Sequence, residues 1–317
     1  MTPYSELRKQ PRIPLVQAVP LPAPLTLYVE MTNRCNFACK MCPESLPGYK
    51  DAVGGIRTME LDDMRLVRDR VREVGGVKVL HLHVLGEPML NRHTPDFVKM
   101  MRPLAERIIL TTNGSVSMVD LLDCPPDYVR VSVYGTDDDQ FAQVTGKRML
   151  NRVRLNVRSL VVARDDRVME RPHVYVKAFG DGGDALRDQF ASADEFAVEP
   201  LMDWDGRAGV GSSTPGTRRS CAMPFYTLAV HADLKVSPCC VDWSKRLVVG
   251  DLREQSIGEI WRGMPLEALR LQHLSGKRTA TGCKDCSYLN TLPDDVDSLD
   301  AGEYVSRASK RLELATA

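Results

Sequence analysis

Three cysteines fall within eight residues in the stretch Cys35-Asn36-Phe37-Ala38-Cys39-Lys40-Met41-Cys42, directly after the apolar run Leu25-Thr26-Leu27-Tyr28-Val29. Three thiolates spaced C-x3-C-x2-C on a tight loop can close on three corners of a cubane iron–sulfur cluster and leave one iron without a protein ligand. An open iron can take a substrate or a cofactor, as the open position of a catalytic zinc site does. A zinc knuckle would want a fourth Cys or His nearby, and none follows within this loop. A thiol cluster inside a core is the remaining alternative, but thiol-dense loops are poor core formers.

A second group, Cys221, Cys239, Cys283 and Cys286, has 17, 43 and 2 intervening residues. A zinc ribbon usually shows two close pairs, and only the last pair here is close. Four thiolates gathered from a hairpin and a knuckle suit an auxiliary [4Fe–4S] cluster with every iron ligated, with structural zinc as the alternative. Cys240 neighbours Cys239, and adjacent strand residues face opposite sides, so one of the two ligates and the spacing favours Cys239. Cys240 is then a small buried hydrophobe, an alternative ligand, or a thiol facing a substrate cavity. Cys124, before Pro125-Pro126, reads as structural.

The elements that must carry these thiols follow from periodicity and turn residues. Leu25–Met31 reads as the first strand, with the cysteine loop at its C-terminal end. Glu60–Val74 is helical, with Thr58 as cap and Gly75-Gly76 as stop. Val77–Leu85 is a second strand that ends in Gly86-Glu87-Pro88. A helix over Pro95–Ala105 leads to a strand at Arg107–Leu110 and the turn Thr111-Thr112-Asn113-Gly114. Further units are the strand Tyr128–Tyr134, the helix Leu150–Ala163, the strand His173–Phe179, a short helix at Ala185–Ala191 and a sixth strand at Glu195–Glu199. Such alternation implies a parallel sheet with right-handed crossovers, here an α/β fold with a partial (β/α)6 barrel. In parallel α/β folds the site lies at the C-terminal strand ends, where the glycine turns, the cysteine loop and Ser132 all collect. His81 and His83 share one face of the second strand and read as packed or substrate-facing rather than as metal ligands.

Asp203–Ser220 reads as a linker. Thr227–His231 and Lys235–Cys239 then form a hairpin around Ala232-Asp233. Ser256–Leu274 is a helix, and the tail from Pro293 ends helical near Tyr304–Leu314. The division expected is an arm at 1–24, a barrel at 25–205, a small α+β module at 206–292 and a tail at 293–317. The proline-rich arm is expected to wrap the surface in extended form.

Hydrophobic content of 43% is ordinary for a globular chain. Lys plus Arg equals Asp plus Glu, 42 each, which gives no pointer to nucleic acid or to an anionic membrane surface. No apolar run approaches the roughly 20 residues of a membrane span. The first residues lack a signal-peptide core, so nine cysteines read as metal sites in a reducing, cytoplasmic setting.

The cysteine loop resembles that of the radical S-adenosylmethionine (SAM) enzymes, with Met41 where that family commonly has an aromatic residue. The resemblance implies a [4Fe–4S] cluster on Cys35, Cys39 and Cys42 whose fourth iron chelates SAM. Gly86-Glu87-Pro88 resembles the family's Gly-Gly-Glu-type turn, which holds the SAM amino group. By the same resemblance Ser132 would bond the SAM ribose or carboxylate, while Thr112 and Asn113 would face SAM or substrate. The block around the second cysteine group, with Val249-Gly250-Asp251-Leu252 and Ser256-Ile257-Gly258-Glu259-Ile260-Trp261, resembles the twitch domain, a shortened SPASM domain.

Within the family, this combination of barrel and twitch domain is similar to dehydrogenases of antibiotic biosynthesis that oxidise a secondary alcohol of an aminocyclitol. That implies an oxidoreductase with SAM and two [4Fe–4S] clusters, a small aminocyclitol or sugar substrate, and a reducing partner such as flavodoxin or ferredoxin. A proton acceptor is also needed. Asp203, Asp205, Asp242 and several arginines near the two domains are candidates that nothing in the sequence ranks. The alternatives are a sugar epimerase with Cys240 as hydrogen donor, a peptide-modifying maturase, and a non-enzymatic iron–sulfur electron carrier.

Overall fold

The computed structural model describes residues 1–317 apart from 8, 180–182, 200–218, 285, 287, 293 and 317. Six strands, β1 (Thr26–Val29), β2 (Val77–Leu82), β3 (Ala105–Thr112), β4 (Tyr128–Tyr134), β5 (His173–Phe179) and β6 (Glu195–Glu199), pair in chain order and all in parallel. Strict alternation drives this. On β4, Val129, Val131 and Val133 are fully buried in the core shared with the helices, while Arg130, Ser132 and Tyr134 face the other way. Those inner faces converge. Ile109, Tyr128 and Tyr175, with Val79 and Ala197 against them, surround Tyr4, so residues from five successive strands meet around one ring. A sheet that brings its inner faces to one point is curled into a partial barrel.

Next come β7 (Thr227–Val230), β8 (Lys235–Ser237) and β9 (Gly250–Asp251). The β7/β8 hairpin lies where expected, but β7 pairs in parallel with β1, Leu27 opposite Leu228. One nine-stranded sheet therefore runs β6-β5-β4-β3-β2-β1-β7-β8-β9, and the small module extends the barrel wall instead of standing apart from it. The expected linker lies outside the described residues up to position 218.

Other departures have local causes. The helix Leu61–Glu73 is capped by Glu60, whose reciprocal box with Asp63 displaces Thr58 from that role. Thr58 instead pairs its hydroxyl with that of Thr32 at 2.8 Å. The single helix expected over Ser256–Leu274 is two, Ile257–Arg262 and Met264–Leu274, because Gly263 is extended and Pro265 suits only a first turn. The helix expected over Ala185–Ala191 is a pair of 3-10 turns. A helix at Asp138–Thr145, capped by Asp137 onto the Gln140 amide at 2.8 Å, was not anticipated. The arm is not merely extended. It has helical turns at Tyr4–Leu7 and Leu15–Ala18, sends Tyr4 into the barrel floor, and packs Leu15 and Val19 with Met223 and Phe225. Among the described residues no helix is long and apolar enough to cross a membrane.

Candidate functional site

The cysteine loop leaves the C-terminal end of β1 and is tied down from several sides. The Glu30 carboxylate accepts the Leu85 amide at 3.2 Å and the Ala232 amide at 3.1 Å, joining the ends of β1, β2 and β7. Within the loop, the Cys35 amide donates to Glu44 at 2.7 Å. The Ala38 and Lys40 amides donate to the carbonyls of Thr145 and Val144, both at 2.9 Å. Phe37 meets Phe141 edge-on at 5.7 Å, so the helix Asp138–Thr145 cradles the loop. Met41, where the family commonly has an aromatic residue, is buried.

Gly86 is where the β2 turn meets this loop. Its φ is +70°, and a Cβ there would lie 2.1 Å from the Thr32 carbonyl oxygen. Only glycine permits the approach. Glu87, 1% exposed, bonds its amide to the Arg34 carbonyl at 2.9 Å. Its carboxylate accepts the Thr112 hydroxyl at 2.6 Å, the Asn113 amide at 2.6 Å and the Met89 amide at 3.0 Å. Asn113 in turn donates from Nδ2 to Asn36 Oδ1 at 2.9 Å and to Cys35 Sγ at 3.6 Å. The structure thus brings Gly86, Glu87, Thr112 and Asn113 together against the cysteine loop. The Glu87 and Thr112 side chains are spent on each other, so they brace the rim. Ser132 sits on the inner face of β4, with Arg130 and Tyr134.

Burial pushes the Cys35 and Cys42 thiols up to about 12, and Cys39 higher, with neighbouring negative charge adding to the effect. Such thiols do not ionise at neutral pH by themselves. A bound metal, whose positive charge deprotonates coordinating thiols outright, removes the conflict. Cys221, Cys239, Cys283 and Cys286 stand around one cavity. Among the described residues no three His, Cys, Asp or Glu side chains close on a single metal-ion position. The cavity also shows a donor in search of an acceptor. His273, fully buried, accepts the Cys221 amide on Nδ1 at 3.1 Å, and its Nε2 has no partner. Burial and Arg278 lower its pKa to about 4, so Nε2 carries the proton and can donate to a sulfur in the cavity. Donor set and orphaned N–H both fit an iron–sulfur cluster.

Cys240 is 9% exposed and does not line that cavity. It belongs to a buried cluster against which the Tyr28 and Tyr288 side chains pack. Tyr28 belongs to the inner face of β1 and stacks on His81 at 4.6 Å. His83, on the same strand face, is held neutral by burial and by Lys177 and Arg130, its pKa lowered to about 3. Cys124 is half-buried. Asp242 is not an available base, because it accepts the Ser237 hydroxyl at 2.8 Å and the Arg246 and Leu247 amides at 2.9 Å. Asp203 and Asp205 lie outside the described residues.

Sequence reasoning missed Glu30, Glu44, Arg130 and His273. Alternation along β4 could have found Arg130, which shares its face with Ser132. Nothing local marks the other three.

The model of the radical SAM superfamily matches residues 29–161, and that of an iron–sulfur cluster-binding SPASM domain matches residues 221–287. The S-adenosyl-L-methionine-dependent 2-deoxy-scyllo-inosamine dehydrogenase of Niallia circulans is 23% identical over 281 residues, which span 85% of this chain and 95% of that protein. A crystal structure of BtrN in complex with AdoMet and 2-DOIA superposes with a TM-score of 0.56 at 19% identity, covering 82% of this chain and 91% of the other. Streptococcus suis SuiB bound to its precursor peptide SuiA gives 0.59 at 13% identity, covering 90% and 78%. These superpositions establish the fold, a partial barrel with a C-terminal iron–sulfur module. The first domain binds SAM and a [4Fe–4S] cluster, and the second binds further iron–sulfur. Thiol loop, braced rim, second thiol cavity and matched models agree: the chain is a radical SAM enzyme with a C-terminal SPASM-type domain.

Proposed function

We propose that the enzyme oxidises a secondary alcohol of an aminocyclitol or sugar. SAM and a [4Fe–4S] cluster at Cys35, Cys39 and Cys42 would supply a 5′-deoxyadenosyl radical to abstract a substrate hydrogen, and a second cluster at Cys221, Cys239, Cys283 and Cys286 would supply an acceptor for the remaining electron. Gly86, Glu87, Thr112, Asn113 and Ser132 would form the rim that holds SAM, with Glu87, Thr112 and Asn113 fixed by the bracing described above. Tyr4, Tyr128 and Tyr175 close the floor and keep water from entering below. The barrel at 25–205 and the module at 206–292 divide this labour, flanked by the arm at 1–24 and the tail at 293–317. Flavodoxin or ferredoxin fits as the external reductant.

One observation carries the reading. Cys239 borders the second thiol cavity, and its neighbour Cys240 belongs to the cluster that packs against Tyr28 on the inner wall of the barrel. An electron acceptor there stands one residue from the lumen in which a substrate radical would form. The similarity to a dehydrogenase along 95% of that protein supports the same chemistry. The packing of Tyr28 against the cluster of Cys240 also favours a second reading, an epimerase in which Cys240 returns a hydrogen atom.

Product mass separates the two. Anaerobically reconstituted enzyme with 2-deoxy-scyllo-inosamine should form a ketone lighter by two hydrogen atoms, with one 5′-deoxyadenosine per ketone. A product of unchanged mass that gains solvent deuterium would make the enzyme an epimerase. SAM cleavage with no change in any cyclitol would remove the substrate class.

A further inference from the structure

Among the described residues, Arg130 is a buried cation with almost nothing to hold. Its side chain is 12% exposed, and the nearest carboxylate oxygen among the described residues, on Glu199, is 3.9 Å from Nη2, beyond hydrogen-bond reach. Its Nε is buried without a partner among the described residues. Glu199 is engaged elsewhere, accepting the Tyr175 hydroxyl at 2.6 Å and lying 3.7 Å from Lys177. One face of the guanidinium rests on the Tyr4 ring, 4.7 Å from its centroid. That contact holds the group in place but satisfies none of its five N–H donors. Buried polar groups without partners are rare because their desolvation is uncompensated.

The position says what could satisfy them. Arg130 lies two residues before Ser132 on the same face of β4, about 7 Å deeper at the rise of an extended strand. It is beside Thr111 and Tyr175 in register and stands on the floor that Tyr4 completes. Tyr4 is itself fixed, its amide and that of Ser5 donating to Glu195 at 2.7 and 3.1 Å. The neighbouring His83 is neutral and adds no positive charge.

We infer that Arg130, seated on Tyr4 of the N-terminal arm, is a substrate-binding residue that anchors an oxygen-rich edge of the substrate at the barrel floor. A planar guanidinium forks onto paired oxygen acceptors, whether adjacent hydroxyls or a carboxylate, and repels an ammonium. An aminocyclitol therefore enters with its hydroxyl edge down and its amine away from Arg130. This rests on the cyclitol or sugar reading above and adds an orientation to it.

Calorimetric binding to the reconstituted, SAM-loaded protein tests it, with myo-inositol and 2-deoxy-scyllo-inosamine as probes and SAM titrated separately. Arg130→Gln should weaken both probes at least tenfold, leave iron content unchanged, and keep SAM affinity within twofold. Arg130→Lys, which keeps the charge without the fork, should recover part of the loss, and Tyr4→Leu should weaken the probes with SAM unaffected. Three results overturn the inference. Arg130→Gln could weaken SAM as much as the probes, making Arg130 a cofactor ligand. It could leave probe binding intact, or the wild type could bind neither probe. The proposed oxidation is judged by product mass and this inference by the difference in binding, so the two fail separately.

Discussion

Replacing Glu87 by Gln would test whether the rim depends on a buried carboxylate. Burial pushes this group up to about 6, against the pull of its bonds from Asn113, Thr112 and Met89. Ionisation inside the fold therefore costs about 2 kcal/mol above pH 6, at roughly 1.4 kcal/mol for each tenfold change in proton affinity. Gln removes that cost. It can keep one oxygen facing Thr112 and Met89, but its NH2 must then face the Asn113 amide, now 2.6 Å from Oε2. A lost charge-assisted bond is worth about 1.5–3 kcal/mol, and the stranded N–H about 1–3 kcal/mol more. The net loss is about 0.5–4 kcal/mol at pH 8. The pH dependence has a definite sign. A carboxyl whose folded pKa is raised above its unfolded value binds more protons in the folded state, so the wild type gains stability as pH falls from about 6 to 4.5. Gln cannot follow. The deficit of the variant should widen by about 2 kcal/mol across that window, as read by urea unfolding of both proteins. Equal stability at pH 8, or a deficit that narrows on acidification, would refute the reasoning. Because Asn113 also touches Cys35, iron retention by the loop should fall in the same variant.

Other outcomes follow from the same geometry. Gly86→Ala forces a left-handed residue with its Cβ against the Thr32 carbonyl, and should cost more than about 2 kcal/mol in urea unfolding. Reconstituted protein should hold about eight iron atoms, four per cubane. Replacing Cys35, Cys39 and Cys42 by Ala should remove half and abolish SAM cleavage, and replacing Cys283 and Cys286 should remove the other half. Stoichiometric zinc in the second site would count against the auxiliary cluster. Cys240→Ala should leave ketone formation intact by mass spectrometry, whereas loss of a mass-neutral product would identify Cys240 as a hydrogen donor. His273→Phe should shift the auxiliary cluster to a more negative potential in an EPR-monitored titration, because the variant has no N–H to offer a cluster sulfur.

Much of the site was legible because its ingredients are local. Three thiols in eight residues, a glycine turn after β2 and a thiol pair at Cys283 and Cys286 are chemical statements that need no fold to be read. The strands β4, β5 and β6 were legible to the residue, and in β4 and β5 the reason is plain: valines alternating with polar or aromatic side chains match a sheet with one face on the helices. Loop-ended elements were harder. The helix at Asp138–Thr145 is short, and its main signal is the Asp137 cap.

What only the tertiary structure decided concerns long-range partners. No local pattern says that β7 will pair with β1, about two hundred residues earlier in the chain, because strand choice depends on which edge the rest of the sheet leaves open. The sequence likewise determined that Arg130 faces inward with Ser132, but not that Tyr4 would lie beneath it or that Glu199 would stop short of a hydrogen bond. Glu87 was readable as a turn residue. Its three donors come from its own turn and from the end of β3, and they meet at one carboxylate only when the barrel closes. Side-chain chemistry is written residue by residue, whereas burial and the satisfaction of each polar atom are properties of the packed chain.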